Sequence, residues 1–196
     1  MHKLALTIKH SIPTSNGRDN MKIKYTVDRQ DFVQFQLFNA TKSVSIQKKK
    51  RRETIYLTLS ALLAAAYFFV QDHMAVTIWL LMVAVVTVFF YPKYFKRKYK
   101  KHYEKYIDEH YAKRFGEKVE LALTHDAIWS RNQIGEGTIQ LSEIDRVNET
   151  QHHLFLHISA GPSIIIPKRE LDTLDQFRAA FAKVNIPVID DKNWSW

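Results

Sequence analysis

Two apolar segments, residues 54–70 and 75–91, follow one another across the short link Gln71-Asp72-His73-Met74, and neither holds a charged side chain. Each is 17 residues long, about 26 Å as helix, against a bilayer hydrocarbon core of about 30 Å. That is at the short end for a crossing, and flanking Lys and Arg side chains can snorkel to cover the difference. A four-residue link leaves two helices no choice but to lie antiparallel as neighbours. Aromatic residues sit where the two interfaces would fall, with Tyr56 and Tyr91 at one end and Tyr67, Phe68, Phe69 and Trp79 nearer the link. Ser60, Ala61, Ala64 and Ala65 offer small surfaces for close helix approach. A chain of 196 residues has little protein with which to surround two helices that are apolar all round, so a buried soluble hairpin is disfavoured. A cleaved signal peptide is disfavoured too, because the first apolar segment begins at residue 54 and carries no cleavage pattern.

The charge is divided around this hairpin. Residues 1–116 hold 21 Lys and Arg against 8 Asp and Glu, whereas residues 117–196 hold 8 against 12. The cations cluster in two runs flanking the apolar pair: Lys48, Lys49, Lys50, Arg51 and Arg52 before it, and Lys93, Lys96, Arg97, Lys98, Lys100 and Lys101 after it. A nucleic-acid binder carries its basic footprint on the folded recognition domain. Here the domain-like part is acidic, so the pattern reads as membrane topology and nucleic acid is not an expected partner. The positive-inside rule then places both termini in the cytoplasm and the chain, multi-pass, in the cell membrane. The expected lipid partner is a bilayer with an anionic inner leaflet. The mean hydropathy of −0.28 averages these opposites.

Along the chain the pattern divides into five stretches. Residues 1–20 are polar and aperiodic and are expected to be a disordered extension, with Met21 as the natural start. Residues 21–53 form a cytoplasmic strand and helix: Met21-Lys22-Ile23-Lys24-Tyr25-Thr26-Val27 alternates as a half-buried strand does. Asp28 or Asp31 can cap the helix, whose apolar face carries Phe32, Phe35, Gln36 and Asn39, widened by Val33 and Leu37. That helix is expected to continue through Lys42 into the first apolar segment. Residues 54–91 are the hairpin.

Residues 92–116, after Pro92, form a basic juxtamembrane helix with the stripe Phe95, Tyr99, Tyr103, Ile107, Tyr111 and Phe115, stopped at Gly116. It either lies near the anionic leaflet or serves as a stalk whose aromatic face packs on the domain after it. From residue 117 the period changes to two, with short strands around turns at His125-Asp126, Gly135-Glu136-Gly137 and Ala160-Gly161-Pro162. A helix from Arg169 to about Val184 closes the chain. The expected fold is α+β: a transmembrane hairpin plus a small antiparallel β-barrel or sandwich closed by a C-terminal helix. That order resembles a pleckstrin-homology-like fold.

The chain as a whole resembles the bacterial YcxB-like family. The likeness covers the strand and helix at residues 23–35, the basic run, the two-helix hairpin and the sheet domain. It is clearest at Ile144-Asp145-Arg146-Val147-Asn148-Glu149-Thr150, Leu154-Phe155-Leu156 and Ile165-Ile166-Pro167-Lys168-Arg169. The resemblance implies a membrane protein with a cytoplasmic domain similar to bacterial pleckstrin-homology folds, and it implies no catalytic residue.

Chemistry has little to stand on. The absence of cysteine removes disulfides, thiolate metal sites and cysteine nucleophiles. His153 and His157 share a strand face but stand about 13 Å apart at 3.3 Å per residue, too far for one metal ion. No HExxH, GxSxG, P-loop or GxGxxG pattern occurs. The acids Glu143, Asp145 and Glu149 sit at a connector and are expected to be solvated. A phosphoinositide-type pocket needs converging cations near the first strands, where only Arg131 is at hand. The expectation is therefore a non-enzymatic, cofactor-free interaction or scaffold protein whose partner is another protein or a second copy. The alternatives are a bacteriocin-type immunity protein and, behind that, a membrane enzyme.

Overall fold

The computed structural model describes residues 21–124, 126–133, 135–159, 161–171 and 174–196. The expected extension at 1–20 lies outside the described residues, as do parts of the turns at His125 and Ala160.

The alternation at the start of the described chain produces β1 (Met21–Val27). Ile23, Tyr25 and Val27 point into the core while Lys22 and Lys24 face out. Its partner is β2 (Glu117–Leu123), antiparallel in register from Met21 opposite Leu123 to Val27 opposite Glu117. Segments separated by the whole apolar hairpin thus form one sheet. That sheet continues through β3 (Ala127–Arg131) and β4 (Glu136–Gln140) in the order β1-β2-β3-β4.

A second sheet holds β5 (Ile144–Glu149), β6 (His153–Ile158), β7 (Ile164–Pro167) and β8 (Val188–Asp190) in the order β7-β6-β5-β8. Two expectations are corrected here. The sheets form no closed barrel, and the arrangement is not wholly antiparallel, because β8 pairs parallel to β5. Gly137 lies within β4 opposite Ser130, so the turn sits earlier, where the Asn132 amide donates to the Gly135 carbonyl at 2.9 Å.

Helix α1 (Arg29–Lys42) lies against the second sheet. Its N-cap is Asp28, whose amide donates to Asp31 Oδ2 at 2.7 Å. Phe32, Val33, Leu37, Phe38 and Ala40 are buried, whereas Gln36 and Asn39 are only half-buried. The apolar face is therefore wider than the one expected: Phe32, Val33 and Leu37 are covered as expected, Phe38 and Ala40 join them, and Gln36 and Asn39 lie at its margin. Phe35 and Phe38 meet Phe155 of β6 at ring distances of 5.2 and 5.1 Å. Leu154 and Leu156, on the other face of β6, are buried as well, which explains the uninterrupted apolar run in that strand.

The helix does not run on into the hairpin. Ser43 breaks it with extended backbone and caps the next helix, accepting from the Ile46 amide. Helices α2 (Val44–Val70) and α3 (Met74–Tyr111) then form the antiparallel pair. Both are long and apolar enough to cross a membrane. They touch through Ala65, Thr77 and Ala84, which are buried, while Ser60 is exposed. Pro92 lies inside α3 and does not end it. The apolar segment and the basic aromatic stretch are one helix of 38 residues. A 3₁₀ turn at Ala112–Arg114 follows. Gly116, at φ +72°, then swings the chain into β2 with its amide on the Val27 carbonyl.

The closing helix α4 (Leu174–Lys183) starts later than Arg169, because Lys168–Glu170 form a separate 3₁₀ turn. Phe177 and Phe181 bury its inner face. One core joins everything: Val33 and Leu37 of α1, Ile107 of α3, Ile128 of β3, Val147 of β5 and Phe177 of α4 belong to the same cluster.

Candidate functional site

Two polar features stand out, one beside α1, α3 and the second sheet and the other at the base of the α2–α3 hairpin. The first is a cleft of about 810 Å³ between α1, α3, the β5–β6 turn and the last residues of the chain. Gln30, Gln34, Lys100, Gln151, His152, Trp194 and Trp196 are among its walls, and Asp31, His153 and Arg169 form its floor.

The floor is an ionic cluster. Asp31 is 1% exposed. Arg169 clasps its carboxylate through both terminal nitrogens at 2.8 Å, and His153 Nε2 lies 2.8 Å from Oδ1. Burial alone would raise the Asp31 pKa, but the bonds from Arg169, His153 and the Asp28 amide outweigh it and hold the carboxyl far below its ordinary value. Arg169 also donates to the Thr26 carbonyl, so this one side chain ties β1, α1 and the turn after β7 together.

A second buried acid lies beside it. Glu149, expected to be solvated, is 3% exposed and takes bonds from Lys168 and Arg178, with Lys192 at 3.6 Å. Burial pushes its pKa up, and the two hydrogen-bonded cations overcome that and bring it down to about 2. Glu143 and Asp145 are exposed, as expected. Each buried carboxylate is thus paired with cations and held in its ionised form, an arrangement that locks elements together. His157 is half-buried against Phe35 and Ser163, and burial lowers its pKa. His152 is exposed.

The basic residues form the second feature. Because α2 and α3 are antiparallel neighbours, both runs come to the same end of the hairpin. Lys48, Lys49, Arg51 and Arg52 are exposed on α2, with Lys50 half-buried, and Lys93, Lys96, Arg97, Lys98, Lys100 and Lys101 are carried on α3, Lys93 to Lys101 facing mostly outward. Among the described residues, Lys100 alone of these eleven has a carboxylate within 4 Å, Glu104 at 3.8 Å. The acid in this stem, Glu53, accepts from the Tyr91 hydroxyl at 2.6 Å.

The aromatic stripe of α3 serves as packing. Phe95 and Ile107 are buried, Phe95 stacks on Tyr99 at 4.2 Å, and Tyr103, Tyr111 and Phe115 lie against the core. The end of the chain completes the joint. Trp194 packs edge-on against Phe38 and bonds Thr41 Oγ1, Asp191 pairs with Lys42, and Trp196 Nε1 donates to the Lys96 carbonyl at 3.2 Å.

Asp31, His153 and Arg169 are not visible as a unit in the sequence, since Asp31 and Arg169 are 138 positions apart. The capping position of Asp31 is the one local signal. The two tryptophans near the chain end carry no periodicity to flag them.

No curated protein and no solved structure matches the chain. Residues 123–181, running from the end of β2 to Phe181 of α4, match the family described as YcxB-like protein, the family that the sequence resembles.

Proposed function

We propose that the chain is a non-enzymatic, membrane-anchored interaction protein. In this reading α2 and α3 cross the cell membrane as a hairpin, both termini face the cytoplasm, and the sheet domain, similar to pleckstrin-homology folds, is presented there to a protein partner or a second copy. The observation that carries the reading is the bareness of the two helices. Their most apolar 18-residue windows are 6% and 11% buried, far less than a soluble core helix requires, so lipid is the natural cover. The basic stem at one end supports the orientation. The saturation of Asp31 and Glu149 by cations supports a binding role over catalysis.

The continuity of α3 gives the anchor its mechanical sense. The helix that carries the second apolar segment buries Ile107 in the domain core, so the domain is held rigidly below the hairpin and not on a flexible tether. Photo-crosslinking in cells from the exposed positions Thr138 and Ile189 tests the role. A specific partner or a self-adduct is expected, and a domain surface that captures neither ends the scaffold reading.

A further inference from the structure

Eleven cations and one carboxylate occupy the stem where α2 and α3 leave their apolar segments. Like-charge pairs outnumber opposite-charge ones at the four-residue spacing: Lys48 and Arg52, Lys93 and Arg97, Lys96 and Lys100, and Arg97 and Lys101 repel, against Lys49 with Glu53 and Lys100 with Glu104. Among the described residues, ten of these side chains have no carboxylate within ion-pair distance, and Glu53 is engaged by Tyr91. A folded chain that concentrates like charge with so little internal relief attracts external anions to that place.

The position says which anions. At 1.5 Å per residue, the α2 cations lie about 3 to 9 Å before the apolar segment starts, and those of α3 about 3 to 15 Å after it ends. The headgroup layer of a bilayer is about 5 to 8 Å deep on each side. The Lys96 carbonyl that receives the Trp196 indole is about 8 Å beyond Tyr91 by the same rise, at the lower edge of that layer. The half-buried Trp196 ring packs against the core while its nitrogen holds that carbonyl, which pins the chain end and the domain to the stem at this depth.

We infer that the basic stem is a binding surface for acidic phospholipid headgroups and that, with Trp196 pinning the chain end to it, the stem seats the sheet domain directly beneath the leaflet the hairpin enters. This rests on the membrane reading above and adds to it a lipid preference and a depth. The surface holds the domain close to the membrane, with its cleft opening near the headgroups at Lys100 and Trp196.

The test uses the full chain in nanodiscs of phosphatidylcholine containing nitroxide-labelled phosphatidylglycerol or nitroxide-labelled phosphatidylcholine. The motionally restricted fraction of each probe reports its relative association with the protein. Phosphatidylglycerol is expected to be favoured about threefold or more at low salt, with the ratio falling towards unity in about 1 M salt, where the Debye length is about 3 Å. The variant Lys93→Gln, Lys96→Gln, Arg97→Gln, Lys98→Gln, Lys101→Gln is expected to lose most of the preference. A nitroxide on Ser195→Cys is expected to report a depth within the headgroup layer.

Incorporation with equal association of the two probes overturns the inference, and so does a preference unmoved by both salt and the variant. Salt response in the native chain decides the matter even where the variant folds poorly. A chain that binds a DNA duplex while showing no lipid preference also overturns it. Failure of the chain to enter nanodiscs at all is a separate result, and it removes the anchoring reading and this inference together.

Discussion

At the scale of single residues, two buried carboxylates and one glycine place the sharpest demands on the fold. Arg169→Ala leaves Asp31 buried with His153 as its remaining side-chain hydrogen-bond partner. Because the guanidinium is itself 44% exposed, water replaces part of what is lost, and the expected destabilisation is about 2 to 3 kcal/mol by urea denaturation. Arg169→Lys is expected to recover little, since a lysine cannot grip both carboxylate oxygens. The pH response has a definite sign. Asp31 and Glu149 both titrate below their ordinary values in the fold, so the unfolded chain binds more protons in the acid range. Their contribution is complete above about pH 4.5, the ordinary glutamate value, and is lost as pH falls towards about 2. Thermal melts between those limits are expected to show steadily falling stability, and a flat profile would mean that neither pair matters. Gly116→Ala, in contrast, acts through the backbone: a Cβ at φ +72° meets no neighbour, yet the conformation itself costs about 1 kcal/mol.

At the scale of elements, α3 does two jobs that its sequence advertises as two helices. Pro92 and the change from apolar to basic composition invite a boundary there, but the helix continues, because tertiary contacts at Phe95 and Ile107 hold the second half in line with the first. Ile107→Ala is expected to cost about 2 to 4 kcal/mol and to detach the lower half of α3 from the sheets. Hydrogen exchange would register this as lost protection in residues 103–111 and in β1. The strands are legible because period-two alternation is a local property, and β1 to β7 each lie close to where it places them. Strand β8 is not: three residues with no alternation pair parallel with β5, and their place depends on a partner 41 positions away, as Val147 and Val188 show. The apolar face of α1 is legible only in part, for a related reason. Phe32, Phe35, Phe38 and Leu37 nearly encircle the helix, and the sheet it packs on decides which of them are covered.

At the scale of the whole molecule, the hairpin is an insertion into a domain and not an appendage to one. β1 and α1 come before it in sequence yet supply a strand and a large share of the core to the sheets that come after it. No local pattern reveals such a closure, because its cost and reward both lie in contacts far apart in the chain, as Met21 opposite Leu123 shows. The corollary is that a fragment of residues 117–196 lacks β1, α1 and Ile107. It is expected to show no cooperative melt by circular dichroism, and a well-folded fragment would refute the shared core. The candidate site divides in the same way: the basic stem is readable as composition, whereas the Asp31–Arg169 clasp exists only because the chain returns.

The proposed topology, with the apolar hairpin across the membrane and the sheet domain in the cytoplasm, is open to direct measurement. The absence of native cysteine makes the direct measurement simple. Single substitutions Gln71→Cys, in the link between α2 and α3, and Asn193→Cys, exposed near the chain end, are labelled in intact cells with a membrane-impermeant thiol reagent. Asp72 is avoided because its φ of 57° disfavours replacement. Labelling is expected at position 71 in intact cells and at position 193 only after lysis. Labelling at 193 in intact cells would contradict the proposed topology.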